Sequence, residues 1–310
     1  MYFRSCLYHQ LIAAYAKFGV SGDLIFANYL PALKFDGQAR AIECRVQELF
    51  SEKEIETWTG LHEIRKKFSE DPISETVRAI DRGLPVLVAV DGFALPYRED
   101  LYGKAHNGHY LLVYGYDLDE KRFTVNEHAF ENSYRYRETE MPFGTLEDAH
   151  RSYREHCGRY PSGIIKVRRV KSISPVNAGA LYLERMLGFA DVYRKNAQAV
   201  RAFREDLLSR FADLPGFFAS AREVGANLTR VRNMKSVQKF QLGRLLPGDP
   251  AVGFAERISE CLSFIAGVLA KAGFSGRCGA ELFEKVLERC AEWAELEEKL
   301  GKRFREAKHG

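Results

Sequence analysis

The sequence lacks the features of a membrane-spanning or exported protein. The chain has 310 residues, of which 46% are hydrophobic and 28% charged, as in ordinary globular proteins. No uninterrupted apolar run approaches the ~20 residues that a bilayer-crossing helix requires. The first ten residues, MYFRSCLYHQ, hold no apolar stretch of the kind found in a secretory signal. We therefore expect a globular protein that resides in the cytoplasm, away from membranes.

The cysteines also lack a pattern that would predict a metal site or a disulfide framework. No CxxC pair and no zinc-like spacing occurs, so free thiols are expected in a cytoplasmic chain. Because a lone cysteine is usually a small buried apolar residue, a reactive one needs a second indication. The six cysteines are Cys6, Cys44, Cys157, Cys261, Cys278 and Cys290.

Phosphate-binding and strongly basic sequences are missing too. No Walker-type loop and no dinucleotide fingerprint occurs, so neither a nucleotide nor a metal is predicted as cofactor. The net charge is +4, with a mildly basic C-terminal part. This charge is far below that of a dedicated nucleic-acid binder, so no nucleic acid is expected as a partner.

Two hydrophobic patterns divide the chain. Short apolar runs between turn signals predict strands at 84–90, 110–116, 122–125 and 163–170. Amphipathic periodicity predicts helices at 7–18, 52–70 and 74–82, and four long ones at 178–211, 219–246, 253–271 and 279–307. We therefore expect an α+β fold with an N-terminal domain at residues 1–172 and an all-helical domain at 173–310.

Cys6 stands where the first amphipathic helix begins. Unpaired N–H groups and the positive end of the helix dipole favour the thiolate, which is the nucleophilic form of cysteine. A catalytic cysteine also needs a base, and the base needs an orienting partner. His109 opens one predicted strand, and Asn126 and Glu127 close the next. If these strands pair through the polar turn at 117–121, one of the two side chains can orient the His109 ring.

The same segments resemble a known family. The stretches GLPVLVAVDGFALPYRED (83–100) and HNGHYLLVYGYD (106–117), with the Cys6 helix and the strand end at 123–127, are similar to the butirosin biosynthesis protein H family. The resemblance covers roughly residues 4–135. It implies a papain-like fold with an antiparallel sheet, related to that of bacteriocin-processing cysteine peptidases. The named member is an acyltransferase that moves an aminoacyl unit from an acyl carrier protein thioester to an aminoglycoside amine.

The resemblance assigns Cys6 as nucleophile and His109 as base. Relatives carry an Asp at the end of the following strand, where this chain has Glu127, with Asn126 one residue earlier. Because neighbours on a strand face opposite ways, only one of these two reaches His109, and we favour Glu127. The Gln that papain-like sites use for the oxyanion would precede residue 1, so the Cys6 N–H is the donor that we can name.

Four further features are candidates for binding substrates. Asp91 either binds a substrate amine or caps the end of its strand. His106 either takes part directly or is a loop histidine. Tyr97, with other aromatic residues of its region, either lines an acyl pocket or packs in the core. The basic stretch 222–244 either docks an acidic carrier protein or is a solvated helix face.

Together these features predict a cysteine-dependent acyltransferase. Its partners would be an acyl or peptidyl carrier protein, whose phosphopantetheine thioester is the substrate, and a small-molecule amine acceptor. Beyond that substrate, no cofactor is expected. A thioesterase or papain-like peptidase using the same residues, or a carrier-binding subunit without activity, are the alternatives. The helical domain could be a lid, a docking platform or an oligomer interface.

Overall fold

A computed structural model of the chain describes residues 6–128, 136–157 and 162–307. The strands are β1 (Leu30–Asp36), β2 (Ala41–Gln47), β3 (Leu61–Lys66), β4 (Val86–Asp91), β5 (Gly108–Asp117), β6 (Arg122–His128), β7 (Tyr136–Pro142) and β8 (Ile164–Arg169). The α-helices are α1 (Cys6–Ala16), α2 (Asp23–Ala27), α3 (Glu52–Thr59), α4 (Pro72–Asp81), α5 (Phe143–Ser152), α6 (Ala178–Phe189), α7 (Asp191–Phe211), α8 (Leu214–Leu245), α9 (Pro250–Ser275) and α10 (Ala280–Glu306).

The α+β class is confirmed, with an antiparallel sheet first and an all-helical region after residue 177. The chain divides into two compact units, one of residues 1–25 and 51–176, the other of 26–50 and 177–310. The boundary predicted at 172/173 lies within a few residues of this second junction. The segment 26–50 lies within the predicted N-terminal domain but belongs to the same compact unit as the helices after residue 177. Its β1–β2 hairpin contacts α7 and α8, which bury its apolar side chains.

The N-terminal unit is built on a six-stranded antiparallel sheet in the order β3-β8-β4-β5-β6-β7. The continuous apolar run of β4 fits a central strand, and all six of its residues are buried. β5 and β6 form the predicted hairpin. Its turn is closed by Asp117, whose carboxylate accepts the N–H groups of Asp119 and Glu120. Val90 stands opposite His109 in the β4–β5 register.

The hydrophobic core of this unit lies between the sheet and two helices. α4 and α5 contribute Ala79, Leu146 and Ala149 to a cluster with the valines of β4 and the apolar residues of β5 and β6. α1 packs against β5 and β4. The packing of α1 on β5 brings the N-terminus of α1 beside His109.

The predicted helix at 52–70 is wrong in its second half. α3 ends at Thr59, because Gly60 adopts a left-handed conformation (φ 66°). A Cβ at Gly60 would lie 2.2 Å from the carbonyl oxygen of Lys171, so only glycine fits there. The chain then continues as β3, which pairs with β8. The elements α2, β1, β2, β7 and α5 were not predicted.

The helical unit has five helices after residue 177 where four were predicted. The first predicted helix is divided at Ala190 into α6 and α7. Pro215 and Gly216 do not precede the next helix but lie in the first turn of α8, where proline is tolerated. Asn196 of α7 accepts the N–H of Leu33 and donates to the carbonyl of Pro31, which fixes the β1–β2 hairpin to the helices.

In the described part of the chain one helix, α9, is long and apolar enough to cross a membrane. A core helix of a soluble bundle passes the same test. α9 packs against α8 and α10 and buries a stripe that includes Ile258, Leu262, Ile265 and Leu269. This stripe is typical of a core helix.

Candidate active site

Cys6 is the first residue of α1 and is half-buried. Its thiol is hydrogen-bonded to the His109 ring and to the backbone N–H groups of Leu7 and Tyr110. Burial raises the pKa of the thiol, but the adjacent His109 ring and the two N–H groups outweigh it, so the pKa lies below the ordinary value. Cys6 therefore has the surroundings of a nucleophilic thiolate.

His109 lies at the start of β5 and is only 5% exposed. Its Nε2 atom is 2.9 Å from Oε1 of Glu127. Because Glu127 binds Nε2, Nδ1 is the ring nitrogen left to face the Cys6 thiol. Burial lowers the pKa of His109, but the Glu127 carboxylate and the Cys6 thiol outweigh it and raise the pKa to about 10. The pair therefore favours thiolate and imidazolium.

Of the two candidates for the third position, Glu127 is the one that contacts His109, and it is 1% exposed. Asn126 points the other way and forms a reciprocal pair with Gln10 of α1. The Gln10 side-chain amide donates to the carbonyl of Asn126, and the Asn126 amide donates to Gln10 Oε1, both at 2.9 Å. Strand alternation accounts for this division. The Gln10–Asn126 pair fastens α1 to β6, beside the contact of His109 with Glu127.

Asp91 has the contacts of a cap at the end of β4. Its Oδ1 atom accepts the N–H groups of Phe93 and Asn107 at 3.1 and 2.9 Å. Its Oδ2 atom contacts His106 Nδ1 at 2.6 Å and accepts the Ser152 hydroxyl at 2.7 Å. Burial raises the pKa of Asp91, but these four donors lower it to about 2. A substrate amine would have to displace one of them, so binding an amine at Asp91 stays a prediction.

His106, which lies three residues before His109, belongs to this cap. Its ring is stacked between Phe93 and His156, with centroid distances of 4.4 and 4.0 Å. Its side chain is 38% exposed. Within the described residues its polar contact is with Asp91, not with the Cys6–His109 pair. A direct role in substrate binding stays a prediction.

Tyr97 contacts Glu127, and the sequence did not predict this contact. Its hydroxyl donates to Oε2 of Glu127 at 2.8 Å. The residue is 41% exposed, so the ring faces solvent while the hydroxyl reaches inward. Thirty residues separate Tyr97 from Glu127, and no motif in the chain links them. A role in binding substrate stays a prediction for Tyr97.

Comparison with protein families supports the assignment of the N-terminal unit. Residues 6–128 match the family model described as butirosin biosynthesis protein H, N-terminal. This match supports a butirosin biosynthesis protein H-like assignment for that part of the chain. Comparison with curated proteins gave no match. The family assignment supports an enzyme of a biosynthetic pathway.

The matched segment contains Cys6, His109 and Glu127, together with Asp91, Tyr97 and His106. The match ends at residue 128, the last residue of β6. Ser152, which donates to Asp91, lies beyond it. The cap at Asp91 therefore also depends on α5, because Ser152, the last residue of that helix, donates to Asp91.

The basic stretch 222–244 lies outside the matched domain and is not one exposed face. Lys235 is 1% exposed and forms an ion pair with Glu297 at 2.6 Å. Lys239 is paired with Glu256, and Arg222 covers the ring of Phe274. The interpretation of this stretch as a continuous docking surface is therefore wrong for Lys235. Docking of a carrier protein elsewhere on the chain stays a prediction.

Among the described residues, no group of three or more His, Cys, Asp and Glu side chains is arranged to hold a metal ion.

Proposed function

We propose that the protein is a cysteine-dependent acyltransferase that moves an acyl or aminoacyl group from a carrier-protein thioester to an amine. The observation that carries the proposal is the contact chain from Cys6 through His109 to Glu127. A thiol alone is common, but a thiol, an imidazole and a carboxylate bonded in series form a nucleophile, a base and an orienting group. The butirosin biosynthesis protein H match supports a biosynthetic role for it.

In the first step the Cys6 thiolate attacks the thioester carbonyl carbon. A new bond joins Sγ to that carbon, and the bond from the carbon to the phosphopantetheine sulfur breaks. The departing thiolate takes a proton from the His109 imidazolium, so His109 becomes neutral. One thioester replaces another, so the step is near thermoneutral and needs no energy source.

In the second step an amine attacks the acyl-enzyme. His109, now neutral, accepts the amine's proton, and the Cys6 thiolate leaves as the carbonyl reforms. The products are an amide and the restored ion pair. Glu127 remains ionised through both steps and stabilises the imidazolium whenever it forms, as the carboxylate of a catalytic triad does.

The negative charge on the carbonyl oxygen develops next to the N-terminus of α1. The Cys6 N–H lies in the first turn of that helix, where N–H groups have no partner within the helix. A helix N-terminus also favours negative charge. We therefore propose the Cys6 N–H as an oxyanion donor.

The test is a partition experiment with a pantetheine thioester. The protein is incubated with the thioester, with and without a primary amine, and free thiol, free acid and amide are measured. Cys6→Ala and His109→Ala should abolish thiol release, and Cys278→Ala, which alters another half-buried thiol, should not.

Transfer predicts that the amide accumulates at the expense of the free acid as amine is added. Free acid released at the same rate with and without amine would assign the same residues to a thioesterase. No thiol release by the parent protein with carrier-bound thioester would contradict catalysis altogether.

A further inference from the structure

Glu127 is held from both sides. Its Oε1 atom binds Nε2 of His109 at 2.9 Å, and its Oε2 atom accepts the hydroxyl of Tyr97 at 2.8 Å. The two oxygens of one buried carboxylate thus connect the base of the site to a tyrosine at the surface. A Glu has one more rotatable bond than the Asp or Asn of related sites, so its carboxylate has more orientations to lose. A second donor removes that freedom.

Tyr97 is itself fixed by a closed loop. The segment 92–107 leaves the end of β4 and returns to the start of β5, and both its ends are bonded to Asp91. The N–H of Gly92 donates to the carbonyl of Asn107, and that of Gly103 to the carbonyl of Phe93. The hydroxyl group of Tyr97 is therefore held in place by a preformed loop.

The charged residue next to Tyr97 on this loop, Arg98, is bonded to Asp100. The Arg98 guanidinium donates through Nε and Nη2 to the two carboxylate oxygens of Asp100, at 2.9 and 2.7 Å. A bidentate pair of this kind satisfies both groups. Tyr97 donates a neutral hydroxyl to Glu127, which orients the carboxylate without neutralising it. Arg98 also interacts with Glu127 electrostatically.

We propose that Tyr97 is a positioning residue that acts on Cys6 and His109 through Glu127. This role of Tyr97 adds a positioning residue to the proposed acyltransferase site, and it rests on that proposed function. On this proposal the hydroxyl of Tyr97 serves to orient Glu127 and not to contact the substrate. With the hydroxyl removed, the Glu127 carboxylate can turn away from His109, and the thiolate–imidazolium pair loses its support.

The experiment compares Tyr97→Phe with Tyr102→Phe. Tyr102 lies on the same loop and is 50% exposed, and its hydroxyl has no hydrogen-bond partner among the described residues. The readout is the rate of Cys6 alkylation by iodoacetamide across a range of pH, which needs no acyl donor. We expect Tyr97→Phe to slow alkylation at neutral pH by about tenfold and to move the midpoint of the profile to higher pH, since a hydrogen bond to a charged group is lost.

Two further measurements make the test specific. In a Glu127→Ala background, Tyr97→Phe should have no additional effect, because coupled residues are not additive. The ultraviolet absorbance of the thiolate, measured against Cys6→Ala, gives the Cys6 pKa independently of alkylation. Tyr102→Phe should match the parent protein in both.

An alkylation profile of Tyr97→Phe that equals that of the parent would overturn the proposal. The proposal would also be overturned if this unchanged profile came with a raised KM for a thioester. That result would indicate that Tyr97 contacts the substrate. Failure of the acyltransferase proposal has a different signature. It would leave the alkylation result intact and remove only thioester turnover.

Discussion

Glu127 lies 2.9 Å from Nε2 of His109, and both side chains are buried. The neighbouring Asn126 pairs with Leu112 in the β5–β6 register, and its side chain is bonded to Gln10. The hairpin between β5 and β6 therefore decides which of two adjacent polar residues contacts the His109 ring. A buried carboxylate beside a buried imidazole favours the protonated ring, and a protonated ring favours the thiolate of Cys6.

Replacing Glu127 should impair the site much more than replacing Asn126. Glu127→Gln keeps the shape of the side chain but removes the charge that supports the imidazolium. We expect thioester turnover and Cys6 alkylation to fall by about 10- to 100-fold, as on loss of an orienting partner. Asn126→Ala should instead destabilise the fold by about 1–3 kcal/mol by leaving Gln10 unpaired. Equal loss of turnover in both variants would contradict the assignment of Glu127.

Cys6 should react at lower pH than another thiol of the same chain. The pKa of Cys6 is lowered from 9.0, whereas burial raises the pKa of Cys278. His109, whose pKa is raised to about 10, stays protonated while Cys6 ionises. Alkylation of Cys6 therefore rises through a midpoint below 9.0, and that of Cys278 through one above it. Site-resolved mass spectrometry of alkylated peptides checks this, and parallel profiles for the two thiols would refute it.

Asp91 should stabilise the N-terminal unit in a pH-dependent way. Because its pKa in the fold is about 2, below the ordinary 3.8, its contribution is present above the unfolded-state pKa and is lost as the pH falls through about 2. Asp91→Asn should cost about 2–4 kcal/mol at neutral pH, since an amide cannot accept all four donors. It should also flatten the acid limb of the stability curve.

Asp71→Asn is the matched control for Asp91. Asp71 caps α4 by accepting the N–H of Ser74, and Asn is an equally good cap. Urea unfolding across a range of pH should show a change of less than about 0.5 kcal/mol for this variant. A similar small change for Asp91→Asn would show that the cap has little energetic weight.

The ion pair of Lys235 and Glu297 should be essential to the helical unit. Both side chains are buried, and Glu297 also accepts from Trp293 and Asn196. Lys235→Met leaves a buried carboxylate without its counter-ion, which costs about 3–5 kcal/mol.

The exposed pair of Lys239 and Glu256 provides the control for Lys235. Lys239→Met should cost less than about 1 kcal/mol. Adding Glu297→Gln to Lys235→Met should recover part of the loss, since the unpaired charge is then removed. If Lys235→Met behaves like Lys239→Met in urea unfolding, the pair does not stabilise the fold.

The strands β4, β5 and β6 were predictable because the hydrophobic pattern of each segment agrees with its position in the sheet. The apolar run of β4 is buried throughout, and the polar turn between β5 and β6 closes as its Asp117 suggests. β3 was missed because LHEIRK carries charges at spacings that also suit a helix. It is an edge strand, where charged side chains are tolerated. Only its distant partner, β8, gives it strand structure.

The candidate site was predictable in its order but not in all its contacts. Cys6, His109 and the pair 126–127 follow one another as helix, strand and strand, and strand alternation limits the choice to one of two. Tyr97 was predicted to bind substrate because aromatic residues surround it in the sequence. The contact of its hydroxyl with Glu127 was not predicted, because a loop residue gives no periodic signal for its partner. Lys235 did give a signal, since it falls in the buried stripe with Leu228, Val231 and Leu242 on α8.

The most direct test of the account is the intact mass of the protein after exposure to an acyl-pantetheine thioester. Covalent catalysis at Cys6 predicts a gain equal to the acyl group in the parent protein and in Cys278→Ala, and none in Cys6→Ala. Addition of an amine should then remove the adduct from the parent protein and from Cys278→Ala. An adduct of equal yield in Cys6→Ala, or thioester consumption that survives this substitution, would contradict the assignment of Cys6 as the nucleophile.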